Sequence, residues 1–333
     1  MRKNHILSVA LAIAALATLT NASCKGDKPA PQPVVEAQPI GPEFEADSAM
    51  AYCYEQCAFG PRTMNSEAHE KCAQWIAEKF TSFGCTVELQ KAALTGYDGT
   101  MLDATNIIAH YKPEKPTHIL LCAHWDSRPW ADNDPDSANW HKPVMAANDG
   151  ASGVAVMLEV ARLLQNADSL NFGVDFICFD AEDWGVPQWS QNNSPDSWAL
   201  GSQYWASHQQ ATNYKTIYGI LLDMVGGQGA EFYKEGVSMK YAPQIVTKVW
   251  NAAHAAGYSS YFPNDVGGQI TDDHLPVNEK AGIPTIDIIP YYPDCRESSF
   301  GPTWHTLADD MNHIDKSTLK AVGQTLIQVL FTE

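Results

Sequence analysis

The sequence predicts a single α/β domain with a mostly parallel central sheet covered by helices on both faces. Short apolar, β-leaning runs alternate with segments of helical period, the pattern of strands joined by crossover helices. Three of those runs, Ile119 to Cys122, Val174 to Phe179 and Ile217 to Leu222, are nearly continuously apolar, with Asp175 the one charged residue among them, as strands buried on both faces are. The residues that close them carry the functional signal: His124-Trp125-Asp126, Asp180-Ala181-Glu182-Asp183 and Asp223. In a doubly wound sheet the carboxyl ends of neighbouring strands lie side by side, and ligands bind there.

The elements follow in order. Residues 1–23 read as an export signal: a basic start at Arg2-Lys3, an apolar core from Ile6 to Leu19, and Ala22-Ser23 before Cys24. Small residues before a cysteine are the pattern of a bacterial lipoprotein, with Cys24 the lipidated first residue of the mature chain, although Asn21 stands where an aliphatic residue is usual. Residues 24–41, rich in Pro, Lys and Gln, form a tether with nothing to bury. The folded domain is expected to span 42–333. Within it, helical spacing runs from Ser48 to Phe83 with a break at Gly60-Pro61. Strands are expected at Thr86 to Leu89, Asn106 to Tyr111, Thr117 to Cys122, Val174 to Phe179, Ile217 to Leu222 and Thr285 to Ile289. Helices are expected after Gly153, with Val154, Met157, Leu158, Ala161 and Leu164 on one face, from Ala242 to Ala256, and from Lys316 to Phe331. Trp125 to Pro143 and Trp184 to Pro195 lack periodicity and read as loops.

Composition narrows the partners. Formal net charge is −18, and two units more negative without Arg2 and Lys3. So acidic a surface argues against nucleic acid and against anionic membranes, leaving a lipid anchor as the membrane contact. The chain is expected to be exported, periplasmic and lipid-anchored. Eight cysteines less Cys24 leave an odd number, so at least one thiol has no partner within the chain. Cys53, Cys57, Cys72 and Cys85 cluster ahead of the strand-end motifs, where export would permit disulfides, and no matching pair nearby makes Cys53 and Cys57 a zinc site. Cys122 and Cys178 read as buried hydrophobes.

His124 and His305 are the strongest ligand candidates, since neutral imidazole is a standard zinc donor. Asp149 sits before a helix start, where it could ligate or cap. Adjacent carboxylates at Glu182-Asp183 repel, so a cation that takes one leaves the other as a proton carrier with a tuned pKa. Asp223, closing an apolar strand, has little to offer stability unless it is paired. Asp272-Asp273-His274 adds a further acid cluster in a loop after Gly267-Gly268.

Taken together, His124-Trp125-Asp126-Ser127, Asn148-Asp149-Gly150-Ala151-Ser152-Gly153, Phe179-Asp180-Ala181-Glu182-Asp183, Leu222-Asp223 and His305-Thr306 resemble the zinc aminopeptidase superfamily. The likeness covers the chain from about Ala51 to Glu333. Trp189-Ser190, Pro195-Asp196-Ser197, Gly201-Ser202, Asp272-Asp273-His274-Leu275-Pro276 and Trp304-His305-Thr306 with Asp309-Asp310 resemble its animal-type glutaminyl cyclase branch. That resemblance implies an enzyme that converts N-terminal glutamine of peptides and proteins to pyroglutamate with release of ammonia. It implies one Zn2+ held by Asp149, Asp183 and His305, with Asp183 where the animal enzymes have Glu. It further implies proton transfer by Glu182, a hydrogen-bonded acid network through Asp223 and Asp272, and a pocket walled by Trp189 and Trp304, with Tyr292 or Phe300 for a pocket phenylalanine. His124 and Asp126 are candidates for a second metal ion or for hydrogen-bond support of the first. The competing reading is a two-zinc aminopeptidase, which would release the first residue. A third is a non-catalytic peptide- or metal-binding lipoprotein. Natural substrates and oligomeric state are not written in the sequence.

Overall fold

A computed structural model describes residues 38–167, 170–191, 194–209 and 211–333. The expected signal peptide, Cys24 and all but the last four residues of the expected tether lie outside them. Those four residues are docked: Gln38 N donates to Ala255 O at 2.9 Å and Ile40 N to the Gln328 side-chain carbonyl at 2.7 Å.

Among the described residues six strands form one sheet. They are β1 (Thr86–Thr95), β2 (Met101–Tyr111), β3 (Thr117–His124), β4 (Gly173–Phe179), β5 (Lys215–Leu222) and β6 (Thr285–Ile288), in the spatial order β1-β2-β4-β3-β5-β6. The four from β4 to β6 are parallel, and β1 and β2 add an antiparallel hairpin at one edge. The sheet is therefore mixed around a parallel centre. The hairpin strands run well beyond the expected Thr86–Leu89 and Asn106–Tyr111, because their outer halves alternate weakly and one face meets solvent.

Alternation along β3 divides the interior. Ile119, Leu121 and Ala123 enter one core, and Leu120 and Cys122 the other. Helices α1 (Ala46–Cys57), α2 (Glu67–Ser82), α3 (Ala151–Leu164), α6 (Pro243–Ala255) and α8 (Lys316–Thr332) enclose the larger core. Helices α4 (Leu200–Ser207) and α7 (His274–Glu279) pack on the other face, with α5 (Gly236–Tyr241) against β6. The break at Gly60-Pro61 separates α1 from α2, and Ser66 caps α2 by accepting from His69 N at 3.1 Å. Helices α4, α5 and α7 are too short to show a period in the sequence.

Register delivers the site. His124 pairs with Phe179 across β3 and β4, and Cys122 with Leu221 across β3 and β5. His124, Asp180 and Asp223 therefore emerge at one level of the sheet. Helix α3 starts beside them, and a Cβ on Gly153 would lie 2.2 Å from Leu222 O, so only glycine lets the helix approach this closely. All seven described cysteines are free thiols, and six of them are buried. Among the described residues no helix is long and apolar enough to cross a membrane.

Candidate active site

The loops beyond the parallel strands turn sharply to present their side chains. Ala146, Ala181, Ala199, Met224 and His305 all adopt left-handed backbone, with φ between 52° and 56°. Such strain in residues with a Cβ persists only where the surroundings over-determine it, and it collects at functional sites. At Ala181 the cause is visible. The buried Asp180 carboxylate accepts from Ala181 N at 2.9 Å, from Thr105 N at 2.6 Å, and lies 2.8 Å from His69 Nε2. The chain is thereby folded back and throws Glu182 and Asp183 inward.

A second buried carboxylate finishes the placement. Asp126 accepts from Glu182 N and Asp183 N, each at 3.1 Å, and its Oδ1 lies 3.4 Å from His124 Nδ1. Asp309 does the same for the α3 loop, accepting from Asn148 N at 2.7 Å and Asp149 N at 3.0 Å. The side chains then converge. His305 Nε2 is 3.1 Å from Asp183 Oδ1 and 3.5 Å from Asp149 Oδ2. His124 Nε2 is 3.0 Å from Asp149 Oδ1 and 3.2 Å from Asp223 Oδ1. Asp149 thus stands between two imidazoles.

Buried acids outnumber buried bases here, and their protons respond. Burial and the neighbouring Asp272 charge raise the Glu182 carboxyl well above the usual range. The same causes push Asp223 up to about 7, with His124 pulling the other way. Burial opposes a charge on His124, but hydrogen bonds to Asp126, Asp149 and Asp223 raise its pKa well above the ordinary histidine value.

Two residue groups meet the needs of a metal ion. Asp149, Asp183 and His305 offer donor atoms all within 4.8 Å of one another, and so do His124, Asp149 and Asp223. Asp183 Oδ2 is buried with no hydrogen-bond partner among the described residues, and two close carboxylates with an imidazole nitrogen make the mixed O/N set zinc takes. The residues fit. Asp272, His274 and Asp287 form a third buried group beyond the acid network.

These side chains open into a cavity of about 370 Å³ lined by Asp149, Glu182, Asp223, Asp272 and His305, with Trp198, Ile289, Phe300 and Trp304 as apolar walls. Another cavity, of about 340 Å³ around His110, Asp175 and Tyr214, lies at the amino-terminal end of the parallel strands and takes no part.

The profile of peptidase family M28 matches residues 106–330. The chain belongs to peptidase family M28. This M28 chain is 28% identical to aminopeptidase YwaD of Bacillus subtilis over 233 residues, 68% of this chain and 44% of that protein. It is 27% identical to the glutaminyl-peptide cyclotransferase of Boiga dendrophila over 261 residues, 69% of this chain and 65% of that one. The chain therefore spans less than two thirds of either curated relative. Among solved structures it resembles Bacteroides thetaiotaomicron glutaminyl cyclase bound to N-acetylhistamine, with TM-score 0.85 and 51% identity over 88% of this chain and all of that one. It also resembles a Zn-dependent exopeptidase from Parabacteroides distasonis, with TM-score 0.86 and 48% identity over 88% of this chain and all of that one.

Of the M28 chain's expected site residues, Asp149, Glu182, Asp223, Asp272, Phe300, Trp304 and His305 line the cavity, Asp183, His124 and Asp126 stand behind it in contact with them, and Trp189 and Tyr292 lie elsewhere. Trp189 lies outside the lining, with its ring against Trp140, Trp130 and His141. The wall is Trp198 instead, whose ring lies parallel to His305 at 6.0 Å, while Trp304 stacks on the imidazole at 3.8 Å. Ala199, in left-handed backbone, donates its N–H to Glu182 O at 3.0 Å and so holds Trp198 beside the site. Tyr292 also faces away, its hydroxyl donating to Gln228 O at 3.1 Å, and Phe300 fills the pocket position beside Trp304 at 4.9 Å.

The sequence reading missed Arg128 and Asp132. Arg128 is fully buried between the rings of Trp130 and Trp198. It makes a fork to Asp132 at 2.7 Å through both Nε and Nη2, and its Nη1 donates to Asp183 O at 3.0 Å. Asp132 in turn faces His305 Nδ1 at 3.4 Å. The signal was an arginine in an otherwise acidic loop four residues before an aspartate, too short a pattern to stand out.

Proposed function

We propose that this M28 chain is a glutaminyl-peptide cyclotransferase acting on peptides and proteins with N-terminal glutamine. The observation that carries the reading is Glu182, a buried carboxylate of raised pKa, lining the same small cavity as Asp149 and His305 between aromatic walls, with Asp183 against His305. A volume of about 370 Å³ suits one residue held folded, not an extended peptide.

Asp149, Asp183 and His305 would hold a single Zn2+. When bound, the ion supplies a Lewis acid that polarises the glutamine side-chain carbonyl. Asp132 faces His305 Nδ1, so a proton there leaves Nε2 free to ligate. Trp198, Phe300 and Trp304 hold the side chain curled toward its own α-amine, which turns a flexible chain into a near-attack pair. Glu182 accepts a proton from the α-nitrogen as that nitrogen bonds to the side-chain carbonyl carbon. It then returns the proton to the amide nitrogen as the carbon–nitrogen bond breaks, leaving pyroglutamate and ammonia. Asp223 and Asp272 share protons beside Glu182 and keep its charge adjustable.

A second reading is favoured by one feature, the position of Asp149 between two ligand groups, which is what a two-zinc aminopeptidase uses. Incubation of a glutamine-initiated peptide, with and without chelator, separates them by mass. Chelator-sensitive loss of ammonia from an intact chain supports the cyclase; free glutamine overturns it. A binding lipoprotein without activity would produce neither. We also propose that 1–23 direct export to the periplasm, that Cys24 carries a lipid anchor, and that 42–333 act as the catalytic unit. The support is the basic, apolar and small-residue order of the first residues.

A further inference from the structure

Gly268 has no structural reason to be glycine. Among the described glycines it alone combines a backbone angle outside the left-handed region with open space where a Cβ would stand. The other glycines with such space, such as Gly60 and Gly229, all have positive φ. Gly267, next to it, is explained by packing, since its Cβ would come within 3.2 Å of Tyr233. A glycine that neither conformation nor packing demands is expected where another backbone approaches.

Its location says which backbone. Gln269, Ile270 and Thr271 follow directly and line the catalytic cavity, and Asp272 comes next. The segment is anchored from below: Gly267 N donates to Lys234 O at 2.9 Å, Gly268 O accepts from Gly236 N at 2.8 Å, and Ile270 N donates to Glu235 at 2.9 Å. The N–H groups of Gly268 and Gln269 find no acceptor among the described residues, and both residues are exposed. Two free donors thus stand on a bare, rigidly held strip of backbone at the cavity rim. Beside it Tyr233 and Tyr291 meet edge to face at 5.3 Å, and Val266 is 63% exposed.

We propose that this strip is a subsite for the substrate residues that follow the N-terminal glutamine. The inference rests on the cyclase reading. With the first residue folded inside the cavity, its carbonyl must lead the chain out over the rim. Gly268 leaves room for that chain, its N–H and that of Gln269 donate to substrate carbonyls, and the tyrosines and Val266 offer an apolar flank. The strip therefore distinguishes a peptide from a lone glutamine derivative.

The test compares glutamine amide with a glutamine-initiated pentapeptide in the wild-type, Gly268→Ala and Gly268→Val enzymes. The quantity read is kcat/KM for the pentapeptide divided by that for the amide, so general loss of folded enzyme cancels. The ratio should fall slightly in Gly268→Ala and about tenfold in Gly268→Val, the equivalent of ~1.4 kcal/mol of lost contact. An unchanged ratio in both variants overturns the subsite. Should Gly268→Val fail to fold, the Gly268→Ala ratio and a pentapeptide KM that rises with it decide the matter. The cyclase reading fails separately, if the wild-type enzyme releases no ammonia from either substrate.

Discussion

Replacing Glu182 by Gln should raise stability and remove activity, and the two opposite signs make it an informative change. Glu182 is 8% exposed, and the charges of Asp272, Asp183 and Asp273 all disfavour its ionisation. Its folded pKa is above the unfolded value, so the folded state holds the proton more tightly. Ionisation therefore costs stability at pH values above the ordinary range near 4.5, and the cost disappears on acidification. Glutamine keeps the shape and carries no charge. In the chelated protein at pH 7 the variant should unfold at a higher temperature, by ~2–4 °C for each kcal/mol relieved in a domain approaching this size. Catalysis should move the other way. Losing a positioned proton carrier costs typically about 10²–10⁴ in rate, equivalent to roughly 3–5 kcal/mol of barrier. Ammonia release from a glutamine-initiated peptide measures the first effect and thermal unfolding with chelator the second. A variant that keeps kcat within about threefold would refute the proton-transfer role. A lower unfolding temperature would refute the claim that the buried charge is uncompensated.

Asp126→Asn sets an amide N–H2 against one of the two backbone donors at Glu182 and Asp183, a loss of roughly 1.5–3 kcal/mol for the charge-assisted bonds. Zinc affinity, measured by competition with a chelating dye, should weaken about 10–100-fold with kcat falling in parallel; unchanged affinity would mean the carboxylate does not set the Asp183 position. Trp198→Ala should raise KM about tenfold or more, and Trp189→Ala should leave it within about twofold, as expected when only the first loses ~1.4 kcal/mol of substrate contact; the reverse order would show that the pocket wall lies elsewhere. Glu235 bears on acid stability. Burial opposes its charge, yet the hydrogen bond to His274 and those from Val237 N and Ser238 N lower its pKa from 4.5 to about 2. Its contribution, about 3 kcal/mol, is present above pH ~4.5 and lost as pH falls toward 2. Urea midpoints across that window should drop more steeply for the wild-type protein than for Glu235→Gln, and parallel curves would sink the assignment.

What could be read from the residues alone was whatever depends on local period and on strand ends. Ile119 to Cys122, Val174 to Phe179 and Ile217 to Leu222 announce buried parallel strands, because a strand covered on both faces reads as a near-continuous apolar run, here broken only by Asp175. Parallel strands in register then bring His124, Glu182, Asp183 and Asp223 to one level. The gathering of side chains at the strand ends was legible for that reason, as was the place of Asp149 and His305 beside them. The tertiary structure decided what loops do. Trp198 rather than Trp189 reaches the cavity because Ala199 N donates to Glu182 O at 3.0 Å, a contact that no short-range pattern encodes. Phe300 rather than Tyr292 faces inward for a similar reason. Arg128, Asp132 and Asp309 act through partners 55 or more residues away, at Asp183, His305 and Asp149, so their roles exist only once the sheet has assembled. Gly268 is the reverse case: one more glycine in the sequence, it becomes informative only when the surrounding space shows that the fold never needed it.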